Sequence, residues 1–470
     1  MTGPDVPLAT PVRGGDPSAR LDGLPVTRRH VRLLLGSGVG WTFDAMDVGL
    51  ISFVIAQLAV VWGTDATALG WIASAGFVGM AAGAALGGLL ADRIGRRQVF
   101  ALTLLVYGVA TGASALAGGV AVLMVLRFVV GLGLGAELPV ASTLVSEFAP
   151  PRIRGRAVVV LESFWAVGWI LAAVIGYLVV PSGENGWRWA LALGALPALY
   201  AVVVRRSLPE SVRFLQARGR HDEADRVVAE LEASPAVGHG GLTGAQVRDA
   251  APAEPGGARG SDVVGPADAP ASGRPRLAEL WVPSLRRRTA ALWLVWFAVN
   301  FSYYGAFIWL PSLLAADGHT LVRSFEYTLI ITLGQLPGYA VAAVLVETWG
   351  RRRTLAAFLA GSAVAAGLFA AASGDGQIIG AGLLLSFFNL GAWGALYAVT
   401  PELYPTRVRT TGAGWAAGIG RTASVLAPLA VPQLREAGGT GLLFTVFAAV
   451  FVVAALGALA LPDHTGEPLT

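Results

Sequence analysis

The sequence contains no cysteine and no lysine. The first absence excludes disulfides, thiolate metal sites and cysteine nucleophiles, and leaves the redox compartment open. The second means that all 34 basic residues are arginine. Charge is scarce: 14% of the 470 residues are charged and 55% are hydrophobic, against about 25% charged in a soluble domain. No phosphate-binding loop or metal-ligand cluster is present. The five histidines, His30, His221, His239, His319 and His464, fall outside the apolar runs. An enzyme is therefore not the expected class. No cofactor, metal or nucleic-acid partner is expected either.

Apolar runs of about 20 residues recur, the length that crosses a hydrocarbon core. Twelve are marked, near 32–57, 69–91, 98–117, 120–147, 157–181, 187–204, 290–315, 325–347, 354–373, 377–400, 410–432 and 440–461. Only helices fit, because each backbone amide must be paired within its own segment in lipid. Frequent glycine suits close helix approach in a membrane. The predicted fold class is an all-α membrane protein of twelve transmembrane helices in two six-helix bundles, with the lipid bilayer as a partner.

Arginine placement orients it. Four short loops on one side hold Arg93, Arg96, Arg97, Arg152, Arg154, Arg156, Arg351, Arg352, Arg353, Arg407 and Arg409. The opposite loops hold only Arg188, Arg323 and Arg435. The rich side is expected to be cytosolic in a plasma (inner) membrane, with both termini there. The expected domains are a disordered cytosolic tail without a cleavable signal (1–30), a first bundle (31–204), a cytosolic loop (205–289), a second bundle (290–462) and a tail (463–470). Within the loop, 210–233 is amphipathic and 235–275 is rich in Pro, Ala, Gly and Asp, a linker composition.

A repeat relates the halves. Glu347, Gly350, Glu402 and Arg409 each stand 255 positions after Asp92, Gly95, Glu147 and Arg154. Two separate motifs thus share one register, as in duplicated six-helix transporters with a midplane solute site.

Gly88-x-x-x-Asp92-Arg93-x-Gly95-Arg96-Arg97 resembles the major facilitator signature between helices two and three. Pro209-Glu210-Ser211-x-Arg213-Phe214-Leu215 and Pro462-Asp463-x-Thr465-Gly466 resemble sugar-porter motifs after helices six and twelve, and Arg127-Phe-Val-Val-Gly131-x-Gly133-x-Gly135 the helix-four pattern. Phe43-Asp44-Ala45-Met46-Asp47-Val48-Gly49, Gly135-Ala136-Glu137-Leu138-Pro139, Leu161-Glu162-Ser163-Phe164-Trp165 and Tyr303-Tyr304-Gly305-x-Phe307-x-Trp309 are similar to the niacin-transporting metabolite:proton symporters. The resemblance implies pseudo-symmetric bundles, alternating access and proton-coupled uptake of a small aromatic acid such as nicotinate. The second half departs from the pattern: Ala343 replaces the signature glycine, Glu347 its aspartate, and Gly382 occupies the position matching Arg127.

An ionisable side chain at the bilayer centre costs about 2.5–3.5 kcal/mol on insertion scales and is usually functional. The first half holds Asp44, Asp47, Arg127, Glu137 and Glu162 within its spans; the second holds only Arg421. At about 1.5 Å per residue, Asp47 lies roughly 22 Å from the cytosolic start of helix one. Arg127 lies roughly 10 Å from the outer start of helix four on the same scale. The two can pair, as the resemblance also implies. Because burial favours neutral carboxyls, the acids are candidate proton carriers with the proton as coupling ion, Asp47 first and Asp44 sharing the proton or touching solute. The alternative for Asp47 and Arg127 is a static ion pair. For Glu162 and Glu137 it is a structural role, such as a local backbone contact beside Pro139.

Arg421 is either a clamp for a carboxylate or an arginine reaching the cytosol or pairing across the bundles. Trp165, Asn300, Tyr303, Tyr304, Gln335, Asn389 and Trp393 complete a candidate pocket for a flat solute; packing is the alternative for each. For Asp92, Arg93, Gly95, Arg96 and Arg97, with Glu347 and Arg351, the resemblance implies a cytosolic latch, Asp92 lying near the start of helix eleven when the protein faces outward; positive-inside topology alone is the alternative for the arginines. Glu147 with Arg154 and Glu402 with Arg409 are expected as further cytosolic gate pairs that break on inward opening. The competing functions are an organic-cation or drug exporter, a sugar transporter, and a non-transporting receptor on the same scaffold. A monomer is the expected state.

Overall fold

The computed structural model describes residues 16–150, 153–237, 277–405 and 408–462. The first half contributes α1 (Arg28–Val61), α2 (Ala66–Ile94), α3 (Arg96–Ser114), α4 (Val120–Phe148), α5 (Arg154–Leu178) and α6 (Gly186–Ser207). The second contributes α7 (Arg286–Ala316), α8 (Leu321–Thr348), α9 (Arg351–Ala370) and α10 (Asp375–Val399). Arg409–Leu459 then runs as α11 and α12, broken where Gly438 and Gly439 leave helical geometry. That makes the twelve crossings expected. α6 and α8 are interrupted at Gly194 and Gly334 respectively.

The packing repeats between halves. α2 lies on α4 and α3 on α4 in the first half, as α8 lies on α10 and α9 on α10 in the second. Glycine makes the closest of these contacts possible. A Cβ on Gly135 would stand 1.9 Å from the Met80 carbonyl oxygen, so α2 and α4 touch backbone to backbone. Such contact is how helices associate where lipid removes the hydrophobic drive. The halves meet along α1 with α7, α2 with α11, and α5 with α8 and α10.

The tight turns at the arginine-rich end follow the repeat as well. Gly95 (φ +105°) and Gly350 (φ +100°) occupy matched positions between α2 and α3 and between α8 and α9. A side chain at either would be strained in that left-handed region.

The tail expected over 1–30 is ordered from Asp16 onward. Pro17–Asp22 is helical, and Arg20 pairs with Asp225 at 2.8 Å and Glu232 at 2.9 Å. Composition suggested disorder, but complementary charge on the helix His221–Glu232 holds the segment, a long-range contact that local composition does not register. The amphipathic stretch near 210–233 forms Val212–Ala217 and His221–Glu232, with Val212, Phe214, Leu215, Ala224, Val228 and Leu231 buried. Of the linker expected over 235–275, the residues from 238 on lie outside the described residues, as do 1–15, 463–470, Arg152 and Arg407.

Candidate functional site

A cavity of about 130 Å³ lies between the halves. From the first half it is lined by Trp41, Ala84, Gly135, Pro139, Glu162 and Trp165, and from the second by Trp296, Asn300, Tyr304, Tyr339, Trp393, Tyr397, Ala417 and Arg421. An apolar cavity of roughly 150 Å³ holds one benzene ring, so this one is scaled to a single aromatic ring.

Arg421 sits one helical turn beyond Ala417 on α11, and both line the cavity. Its guanidinium lies within electrostatic reach of Tyr304, Tyr397 and Asp44, and it makes no salt bridge within 4 Å among the described residues. An unpaired charge inside a protein costs several kcal/mol; an anion in the cavity would relieve that cost. Glu162 projects from α5 into the same cavity and is 4% exposed. The walls are interlocked rings: Trp41 on Trp165 at 5.1 Å, Trp296 on Trp393 at 5.8 Å, and Trp393 stacked on Tyr397 at 5.8 Å. Asn300 accepts from Ser424 Oγ at 3.0 Å, tying α7 to α11 behind the cavity.

Five of the expected pocket residues, Trp165, Asn300, Tyr304, Trp393 and Arg421, line this cavity. Tyr303, Gln335 and Asn389 do not; they pack behind it. The Tyr303 hydroxyl accepts from Trp165 Nε1 at 3.2 Å and so braces a wall residue. The side chains of Gln335 and Asn389 are fully buried without a hydrogen-bond partner among the described residues. Trp41, Trp296, Tyr339 and Tyr397 were missed. Helical register signals two of them: Trp296 stands one turn before Asn300, and Tyr397 one turn after Trp393.

Beyond the cavity, toward the end poor in arginine, lies the buried ion pair. Asp47 contacts Arg127 and accepts from Thr111 Oγ1 at 2.5 Å. Thr111 on α3 had not been singled out. Asp44 lies between the pair and the cavity, fully buried, with neither carboxylate oxygen hydrogen-bonded among the described residues. Glu137, Arg421, Asp47 and Glu162 are all within electrostatic reach of it. Glu137 is likewise buried and beside Tyr107, outside hydrogen-bonding geometry. Among the described residues Glu137 makes no hydrogen bond to a local backbone group. Asp44 therefore connects two charge clusters, Asp47 with Arg127 and Glu162 with Arg421.

At the arginine-rich end the expected gate acids pair with other arginines in this state. Glu147 meets Arg96 at 3.7 Å, and Arg154 instead reaches Asp22 at 3.2 Å. The helical bundle brings the start of α3 beside the end of α4, whereas the expected pairing followed proximity in sequence. The repeat is retained: Arg351 meets Glu402 at 2.9 Å, the same two positions one register later. Arg409 donates to the Tyr404 carbonyl at 3.2 Å. Glu347 pairs across the halves with Arg156, 3.0 Å and 3.2 Å to its two oxygens. Asp92 pairs with Arg96 at 3.0 Å and is 71% exposed at its side chain. The Arg93 carbonyl accepts from Arg218.

Glu210, from the motif after α6, is buried and accepts from the backbone N–H of Arg96 (2.9 Å), Arg97 (3.2 Å) and Ser211 (3.0 Å). It thereby caps α3, where the helix dipole favours an anion.

The family described as "Sugar (and other) transporter" matches residues 47–462. The niacin transporter NiaP of Acinetobacter baylyi is 44% identical over 448 residues, 95% of this chain and 97% of that protein. Organic cation/carnitine transporter 7 of Arabidopsis thaliana is 31% identical over 471 residues, 94% and 93% of the two chains. Among solved structures, the xylose transporter XylE from E. coli in a partially occluded inward open conformation superposes with a TM-score of 0.71 at 17% identity, covering 94% of this chain and 99% of that one. With twelve helices in two repeated bundles around a central cavity, the chain belongs to the sugar (and other) transporter family of major facilitator transporters.

Proposed function

We propose that this transporter takes up nicotinate together with protons, as a monomer with both termini cytosolic. The observation that carries the reading is Arg421, a cation without a protein salt bridge, facing a ring-sized cavity walled by tryptophan and tyrosine. A pyridine carboxylate satisfies both features: its ring stacks on the walls and its carboxylate forms charge-assisted bonds to the guanidinium. The 44% identity to the niacin transporter NiaP supports the same solute.

Coupling follows from the charge chain. Asp47, when ionised, holds Arg127; when protonated it releases it. Asp44 lies between that pair and Arg421, so a proton entering the chain alters the field at the solute's carboxylate. Asp92, the α3 start, and the pairs Arg96–Glu147 and Arg351–Glu402 serve as gates at the arginine-rich end, remade as the halves rock.

The test is uptake of labelled nicotinate into proteoliposomes under an imposed pH gradient. An outside-acid pH difference should drive accumulation in the wild type. Asp47→Asn should retain solute exchange at equal pH while losing gradient-driven accumulation. Uptake indifferent to the gradient, with Asp47→Asn unimpaired, overturns the coupling scheme.

A second reading, an organic-cation carrier, draws on the two buried carboxylates without hydrogen-bond partners, Asp44 and Glu137, and on the likeness to a plant organic cation/carnitine transporter. Competition of nicotinate uptake by benzoate but not by carnitine separates the two.

A further inference from the structure

A second concavity, of about 370 Å³, lies at the arginine-rich end, well away from the solute cavity. It is bounded by the starts and ends of α1, α4 and α6 and by the helix His221–Glu232. Phe148, Leu208 and Val227 form apolar walls, and Arg29, Arg32 and His30 supply its polar groups. An adjoining hollow of about 340 Å³ shares Arg29 and Arg32 and adds Arg28.

The polar groups are poised for an anion. His30 is 8% exposed; its Nδ1 accepts from the Thr27 backbone N–H at 3.1 Å and lies 2.9 Å from Thr27 Oγ1, and its Nε2 is buried near the Phe148 backbone without a hydrogen bond in good geometry among the described residues. Nδ1 is thereby an acceptor, which places the neutral ring's proton on Nε2. Arg32 is exposed and makes no ion pair among the described residues. Arg29 is exposed, and only it is engaged by an acid, Glu230.

The hollow also sits at a defined depth. On α6 the exposed Trp189 marks the opposite interface, as tryptophan does in membrane helices. Arg205 lies roughly 24 Å further along the same helix at 1.5 Å per residue, close to the other boundary of a core about 30 Å thick. From the rim toward the bilayer centre, Leu35 and Val39 of α1 and Leu199 and Val203 of α6 are exposed. Tyr200 Oη donates to the Gly36 carbonyl at 2.8 Å and staples α1 to α6 beneath this apolar track.

We propose that the hollow binds the headgroup of an anionic phospholipid. Its phosphate pairs with the exposed guanidinium groups of Arg32 and Arg29, with the His30 ring packed beneath them, and its acyl chains follow the α1–α6 track. Basic pockets between membrane helices on the cytosolic side recognise anionic headgroups in this way. A soluble phosphate would meet the same donors but leave the track unused, and a zwitterionic lipid would use the track without net attraction.

The test is native mass spectrometry of the purified full chain in detergent, titrated with phosphatidylglycerol, phosphatidylethanolamine or glycerol phosphate. Phosphatidylglycerol should bind more tightly than phosphatidylethanolamine, and glycerol phosphate should leave no adduct at equal concentration. Each cation near the surface contributes a factor of about five, so Arg32→Gln should weaken phosphatidylglycerol binding about fivefold. Replacing Arg32 removes no ion pair or hydrogen bond among the described residues, and an unchanged melting temperature without lipid verifies the fold. Arg353→Gln, exposed at the same end on α9, should leave the affinity unchanged. Wild-type affinity in Arg32→Gln, an equal loss in Arg353→Gln, equal binding of phosphatidylethanolamine, or equal binding of glycerol phosphate overturns the proposal.

Discussion

At Arg421 a full charge lies among tyrosines, partly exposed, and lines the central cavity. Removing it takes away the charge-assisted hydrogen bonds to a solute carboxylate, about 1.5–3 kcal/mol. Arg421→Gln is therefore expected to weaken nicotinate binding by about 10- to 100-fold, with Arg421→Lys between it and the wild type because an ammonium keeps the charge but not the bidentate fork. Isothermal titration of the purified variants checks this; unchanged affinity in Arg421→Gln removes the clamp. Arg421, Glu162 and Asp44 were legible in the sequence because charge is so rare within the spans that each occurrence is conspicuous. The aromatic walls were not. With 14 tryptophans in the chain, type alone does not separate a wall residue from packing. Tyr303 and Trp393 contact each other at 5.9 Å, yet only Trp393 lines the cavity. Helical phase decides such cases, and that phase is fixed by tertiary packing.

Helix ends at the arginine-rich face depend on single backbone positions. Gly95 adopts φ +105°, and a Cβ there would stand 2.4 Å from Glu210 Oε2. Left-handed geometry costs a non-glycine residue about 1–2 kcal/mol, and displacing Glu210 would also uncap α3. Gly95→Ala should lower the melting temperature, whereas Gly88→Ala, where an added Cβ meets nothing within 4 Å, should be neutral or stabilising by up to about 1 kcal/mol. Thermal denaturation in detergent distinguishes the two; equal effects would remove the special role of Gly95. The 255-residue register had already paired Gly95 with Gly350 and Glu147 with Glu402. It did not reveal that each glutamate reaches the arginine opening the third helix of its own half, because that contact joins elements far apart in sequence. The same limit hid the docking of Arg20 on Asp225 and Glu232.

Across the molecule the two halves touch unequally. Near the arginine-poor end Ser74 Oγ of α2 donates to the Val425 carbonyl of α11 at 2.9 Å, and Phe53 of α1 packs edge-on against Phe325 of α8 at 5.2 Å. Toward the arginine-rich end, Cβ atoms built on Gly88 of α2 and on Gly414 and Gly418 of α11 meet nothing within 4 Å. Open space at these positions, with contact at the opposite end, is what a transporter open at its arginine-rich face would show. Arg156 with Glu347 bridges the halves there, but both side chains are more than half exposed, and exposed pairs contribute only about 0–1 kcal/mol. Rocking therefore requires release of the α2–α11 contact at the closed end far more than of this pair. The lack of native cysteine makes that testable without background labelling. Ser74→Cys with Val425→Cys should form a disulfide under copper phenanthroline and abolish uptake, with dithiothreitol restoring it. Gly88→Cys with Gly414→Cys should stay unlinked in the same state. Efficient linkage of the second pair with none of the first would reverse the assignment of the open face.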